Sequence, residues 1–248
     1  MENNLTDRSF WKSFWESRIG LIFKIKPNYV FGDLLGKIIT ETKAQTAIEL
    51  GGFPGYYAIY LKKYKGLTTT LLDYFIHQEL VNKLLTANEL KEGDIKIIEA
   101  DLFKFIPAEK YDMVLSFGLI EHFNDTKFII GEHLKFLKPG GTLFITLPNF
   151  KSVNGWVQRN FDKENYDKHN INSMDLGLLK SSCEALGLKK VEAYYHGKFS
   201  VWLENKSEQT AIAKLLMKTI WLAGKVATKL VPVESKALSP YIVVKASL

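Results

Sequence analysis

The chain is predicted to form a doubly wound α/β sheet, and three observations carry that reading. Five short apolar or β-branched runs, at 47–50, 68–73, 95–100, 111–117 and 142–147, alternate with segments of helical periodicity. Acids close the first three runs, as Glu49, Asp73 and Asp101. A glycine-rich turn, Gly51-Gly52-Phe53-Pro54-Gly55, separates the first run from the helical spacing that follows. In open α/β sheets the crevice outside such strand ends is where ligands bind. The turn suits close backbone approach to a ligand, and an ordinary βα connection fits it as well.

With 248 residues the chain is long enough for one large domain with additions. Its 46% hydrophobic and 24% charged residues are those of an ordinary globular protein. The net charge of +6 is modest, and much of the excess lies in one late segment, so no nucleic-acid partner is expected. One cysteine, Cys183, excludes an internal disulfide or a cysteine-rich zinc site. The N-terminus lacks the apolar core of a signal peptide, and no uncharged run reaches the ~18 residues of a membrane span. A cytoplasmic location is expected.

Along the chain, Phe10-Trp11-Lys12-Ser13-Phe14-Trp15 is a short aromatic helix that could pack into the core or cover a ligand. A second helix is predicted over 29–43, from Phe31, Leu34, Leu35, Ile38 and Ile39. Residues 1–44 thus form an N-terminal helical cap, and 45–248 the main domain. Asp73 ends the second strand, about twenty residues past the glycine turn. There it can accept both hydroxyls of a ribose or cap the next helix. Asp101 can receive an adenine amine, with Leu102 and Phe103 beside the ring, or simply make a turn. A helix capped by Asn124 or Asp125 should run to Leu137, and Pro139-Gly140-Gly141 should turn into the fifth strand.

The ordered set Glu-Leu-Gly-Gly-Phe-Pro-Gly, strand-end Asp73, Ala-Asp101-Leu, Tyr-Asp-Met-Val-Leu-Ser-Phe-Gly-Leu-Ile-Glu-His-Phe and Leu-Lys-Pro-Gly-Gly-Thr-Leu resembles the class I S-adenosylmethionine-dependent methyltransferases. The resemblance covers roughly residues 45 to 200. It implies a Rossmann-like, mostly parallel seven-stranded sheet and S-adenosyl-L-methionine as cofactor. Glu49, Gly51, Gly52 and Gly55 would then surround the methionine moiety. Asp73 would hold the ribose, Asp101 and Leu102 would border the adenine, and Phe117 would lie near the sulfonium. A sulfonium is favoured beside carboxylates and aromatic faces. Phe53 departs from the family, which usually has glycine there. Gly118 departs from the Glu-x-x-Glu-His metal pattern of the ubiquinone-type O-methyltransferases and leaves only Glu121 and His122, so no metal is expected. Dinucleotide, P-loop and nucleophile-elbow patterns are absent.

Residues 150–169 follow the fifth strand and should face the acceptor. Asn149, Arg159 and His169 are the substrate-binding candidates there, among groups suited to a sugar or simply to a solvated loop. His122 is either the general base for a hydroxyl or amine acceptor or a structural histidine. A helix from Asn172, with Asp175 at its third position, leads to a sixth strand over 188–195, with 201–203 as a candidate continuation. The last strand covers 240–246. In the family these two strands make an antiparallel hairpin, interrupted here by a helical insert over about 206–232. In that insert Lys214, Lys218, Lys225 and Lys229 fall within about 60° of one another, with Trp221 at their edge. Ile212, Leu215, Leu216, Ile220, Leu222, Val226, Leu230 and Val231 fill the rest, and Pro232 helps end the helix. Such a helix suits the inner face of a membrane, a homodimer through 209–231, or packing on its own domain. Two functions follow: methyl transfer to a small-molecule or lipid-linked acceptor, or a non-catalytic cofactor-binding or scaffold subunit assembled through this helix, an alternative that Phe53 keeps open.

Overall fold

In a computed structural model the chain is described over residues 4–204, 209–230 and 234–248. Its strands are β1 (Thr46–Leu50), β2 (Thr68–Asp73), β3 (Lys96–Glu99), β4 (Tyr111–Phe117), β5 (Leu137–Pro148), β6 (Lys189–His196) and β7 (Tyr241–Ser247). They form one sheet in the order β3-β2-β1-β4-β5-β7-β6. The first five are parallel, while β7 runs antiparallel to both β5 and β6. The strand order reverses between β1 and β4, and that switch point opens a crevice at their carboxyl ends.

The helices are α1 (Arg8–Glu16), α2 (Gly32–Thr42), α3 (Tyr56–Lys65), α4 (Gln78–Ala87), α5 (Thr126–Leu134), α6 (Val153–Phe161), α7 (Lys163–Asp167), α8 (Leu176–Ala185) and α9 (Ala211–Leu230). Alternation along the strands sorts the core onto two faces, because successive side chains point to opposite sides. Ala47, Leu71, Met113, Leu115 and Val243 meet Leu35, Ile38, Ile59, Leu61 and Leu84 of α2, α3 and α4. Ile48, Leu50, Val114, Leu143, Ile145 and Val244 meet Ile129, Ile130, Leu179 and Cys183 of α5 and α8 on the other face. Cys183 is therefore a packed small residue.

Several boundaries differ from the sequence expectations. Helix α2 starts at Gly32, because Phe31 before it adopts a left-handed conformation with φ 62°. Helix α5, capped by Asp125, stops at Leu134. Leu137 already pairs with Tyr111, so the Pro139-Gly140-Gly141 turn is an irregularity within β5. Asp175 is the N-cap of α8 rather than an interior residue; its Oδ1 accepts from the Leu178 N–H at 3.1 Å after a 3₁₀ turn over Ile171–Met174. Strand β6 ends at His196, and 201–203 is not a strand.

Helix α9 sits on the domain through a narrow strip of small residues. Ala213 and Gly224 are buried, and a Cβ on Gly224 would lie 2.0 Å from the Phe199 ring. Its wide apolar stripe is left uncovered, with Ile212 80% and Leu215 66% exposed. Val231, Pro232 and the expected start of the insert lie outside the described residues.

The cap at Asp175 predicts that Asp175→Ala lowers unfolding free energy by about 1 kcal/mol, the usual cost of losing such a residue. Urea denaturation checks this, and an unchanged midpoint would show that the cap contributes nothing.

Candidate active site

Strand β1 delivers Glu49 into the crevice, and the turn after it wraps around that side chain. Glu49 is buried; its Oε2 accepts from the Ala58 N–H of α3 at 2.7 Å. Gly52 lies against it so closely that an added Cβ would sit 2.2 Å from the Glu49 Cγ, so only glycine fits. Gly55, with φ 97°, is the N-cap of α3 and stands behind the cavity wall rather than on it. At the end of β2, Asp73 accepts from the Phe53 N–H at 2.9 Å and from the Phe75 N–H at 3.0 Å. It thus fastens the glycine turn to the next connection. Burial pushes the Glu49 carboxyl up to about 8 and that of Asp73 up to about 6, against the opposing backbone hydrogen bonds.

These residues open on a cavity of about 460 Å³, within the usual range for small-molecule sites. Glu49, Gly51, Gly52, Asp73, Asp101, Leu102 and Phe117 all line it. Asp101 also accepts from the Phe103 N–H at 3.0 Å, so it makes the turn while facing the cavity. Phe117 stacks on Tyr57, ring centroids 3.5 Å apart. Phe53, the family departure, packs sideways between Trp15 and Phe75.

The aromatic segment at the N-terminus proves to be a cover. No residue of α1 is buried, yet Phe10, Trp11, Phe14 and Trp15 line the cavity. The Trp11 edge meets His122 at 4.9 Å, and Lys168 sits over the Phe10 ring. Arg8 pairs with Glu99 and donates to the Tyr74 carbonyl, while Arg18, just past the helix, pairs with Glu204.

The far side of the cavity is built by a 3₁₀ turn over Ile120–His122 and by residues 165–169. Glu121, His122, Asn165, Lys168 and His169 line it. The His122 and His169 rings lie 4.7 Å apart. Burial lowers the His122 imidazole to about 3 and that of His169 to about 4, and raises the Glu121 carboxyl to about 8. The geometry thus places His122 on the cavity wall as a neutral imidazole whose protonation burial disfavours.

Two substrate candidates fall elsewhere. Asn149 is fully buried and donates to the Lys236 and Ser239 carbonyls, each at 2.9 Å, holding the entry to β7. Arg159 is exposed on α6, away from the cavity lining. Polar neighbours expected to face an acceptor are likewise used internally. Asn154 accepts from the Trp202 N–H at 3.2 Å, and Gln158 donates to the Trp202 carbonyl at 2.6 Å. Lysine 168 and Asn165 were missed because nothing local marks which face of a short helix meets a pocket.

A seven-stranded sheet with acids at three successive strand ends and a glycine turn at the switch point is the ligand-binding arrangement of a doubly wound α/β fold. The family model described as "Methyltransferase domain" matches residues 28–193, more than half of the chain. The chain belongs to this methyltransferase family, and its fold is that of the class I S-adenosylmethionine-dependent enzymes. Sequence comparison with curated proteins returns no match. Among solved structures, a SAM-dependent methyltransferase from Archaeoglobus fulgidus superposes with a TM-score of 0.56 at 15% identity, covering 88% of this chain and 93% of that one. The Haemonchus contortus phosphoethanolamine N-methyltransferase 2, in complex with S-adenosyl-L-methionine, gives 0.58 at 14% identity over 87% of this chain and 52% of that one. An O-methyltransferase family protein from Burkholderia thailandensis gives 0.53 at 16% identity, over 88% and 56%. The chain thus spans about half the length of the latter two, and at these identities the likeness is one of fold. The wall fits the chemistry of an S-adenosylmethionine cofactor: carboxylates for the cation, aromatic rings and Leu102 for the flat groups.

Because Glu49 and Asp73 hold protons above their ordinary values, they stabilise the empty protein at low pH. That stability is lost as pH rises, through about 6 for Asp73 and about 8 for Glu49. A bound cation favours the ionised forms, so cofactor binding near pH 7 should release protons. Calorimetric heats in buffers of different ionisation enthalpy should therefore differ; equal heats would mean that neither carboxyl senses the cofactor. Asp73→Asn, which keeps the shape but loses a charged acceptor, should weaken binding by about 1–3 kcal/mol.

Proposed function

We propose that the protein transfers the methyl group of S-adenosylmethionine to a hydroxyl or amine of a small acceptor, a sugar or a lipid-linked saccharide. The observation that carries this is a single cavity joining the cofactor wall to Asn165, Lys168 and His169 under the aromatic cover. An acceptor lone pair attacks the methyl carbon, the carbon–sulfur bond breaks, and neutral S-adenosylhomocysteine leaves. Alignment supplies much of the rate in such a displacement, and the packed aromatics of α1 favour it by excluding water. A lysine and neutral amides beside aromatic rings suit a hydroxyl-rich acceptor. The structural neighbours include both an N- and an O-methyltransferase, so either acceptor atom is compatible with the fold. Phe53, the feature that keeps the scaffold alternative open, packs sideways and leaves Gly51 and Gly52 on the cavity wall.

The lipid-linked form of the acceptor draws support from α9. Its uncovered stripe of Ile212, Leu215, Leu222 and Val226 runs beside Lys214, Lys218, Lys225 and Lys229, an arrangement suited to an anionic membrane surface. Among the described residues no helix is long and apolar enough to cross a membrane.

Incubation with methyl-labelled cofactor and a panel of sugar nucleotides, polyprenyl-linked sugars and quinone precursors should label one acceptor class. Absence of both cofactor binding and transfer would return the scaffold reading. In flotation with anionic liposomes the wild type should rise and Leu215→Glu/Leu222→Glu should stay behind, still folded. A wild type that never floats and sediments as a dimer broken by the same pair would assign the stripe to a second copy.

A further inference from the structure

We propose that Glu121, His122 and His169 form a binding site for a first-row divalent transition-metal ion at the acceptor end of the cavity. Each of the three residues offers one ligand atom, and these atoms lie within 4.8 Å of one another. They come from two segments that the fold pins together: the Asn170 N–H donates to the Glu121 carbonyl at 2.6 Å, and the Asn170 side chain donates to the Phe123 carbonyl at 3.0 Å.

Two further observations point to a ligand. Glu121 is only 1% exposed, and its Oε2 has no hydrogen-bond partner. A buried oxygen left in this state is costly unless something binds it. The histidines are also oriented as metal ligands are. His122 Nδ1 lies 3.0 Å from the Lys168 carbonyl, and His169 Nδ1 lies 2.7 Å from the Asn165 carbonyl. A carbonyl only accepts, so each Nδ1 carries the hydrogen and each Nε2 keeps its lone pair. That outer hydrogen bond fixes tautomer and ring orientation around a metal. The Trp11 and Phe150 rings pack on His122 and His169 respectively and hold them in place.

Two imidazoles and one carboxylate favour manganese, iron, cobalt or zinc over magnesium and calcium, which prefer oxygen ligands. All three residues line the cavity, so the remaining coordination positions face the space assigned to the acceptor. There the ion would orient an acceptor oxygen and make its proton easier to lose, a task for which His122 alone is poorly suited. This role rests on the proposed methyl transfer, whereas the site itself does not. The proposal departs from the expectation drawn from Gly118, because His169 would supply a third ligand from outside the local pattern.

The test uses the full chain, stripped with a chelator and titrated with cobalt(II) without acceptor. One ion should bind per chain with visible d–d absorption, and zinc should displace it. Glu121→Gln and His169→Gln, similar in size to the residues they replace, should abolish the absorption. Each should weaken binding by more than about 100-fold, beyond the loss of an outer partner. Calorimetry of S-adenosylmethionine on the same variants should give near wild-type affinity, showing that they fold. Absence of stoichiometric cobalt binding by the wild type, or binding unchanged in both folded variants, would overturn the site. Failure of methyl transfer with cobalt still bound would instead count against the proposed reaction.

Discussion

Much of the site depends on one buried carboxylate that is fully engaged by backbone. Asp73 takes the Phe53 N–H on one oxygen and the Phe75 N–H on the other, so the turn after β1 and the connection after β2 move as one piece. The tie adds to the Gly51 N–H bond to the Leu72 carbonyl and to the packing of the Phe53 ring, in a turn whose three glycines carry no side chain. Glu49 does the same one layer deeper, joining the end of β1 to the start of α3. Both acids are desolvated in making these bonds, which raises Glu49 to about 8 and Asp73 to about 6, so near neutrality Glu49 is the one that mostly keeps its proton. The strain of burying charge is thus stored where a cationic ligand relieves it.

The strand ends were legible from the chain because a short apolar or β-branched run and a closing acid are local signals. So were many of the residues that line the cavity, since the strand ends and the turn between them all point to the same edge. The acceptor side was not. Asn149, Asn154 and Gln158 look like recognition groups in the sequence, but their partners are backbone atoms of remote segments at 202 and 236–239. Arg159 lies on a helix whose outward face no periodicity over nine residues could identify. His169 meets Glu121 and His122 only because α6 and α7 fold back across the sheet end, a long-range fact that no spacing rule contains. Phe53, read as a defect in the turn, is instead the point where the turn engages the N-terminal cover.

The late helix illustrates a related limit. Its basic row and apolar face were visible on a wheel, but the wheel did not say which side meets the domain. Packing used the strip containing Ala213 and Gly224, because small residues let a backbone approach the Phe199 ring. The larger residues were left outward as a consequence of that close approach.

The cover over the cavity is attached in an unusual way for an element so close to the chemistry. Helix α1 buries none of its residues and is held by ring edges and by two arginine–carboxylate pairs near its ends. The Arg8–Glu99 pair is exposed and weakens with salt, whereas the Arg18–Glu204 pair is half-buried and less screened. With none of its residues buried, α1 would open at lower cost than the sheet unfolds. In kinetic terms the helix would then act as a door whose latch is partly electrostatic. Ionic strength should then govern how fast a bulky acceptor enters and how fast product departs, while leaving the melting temperature of the sheet unchanged.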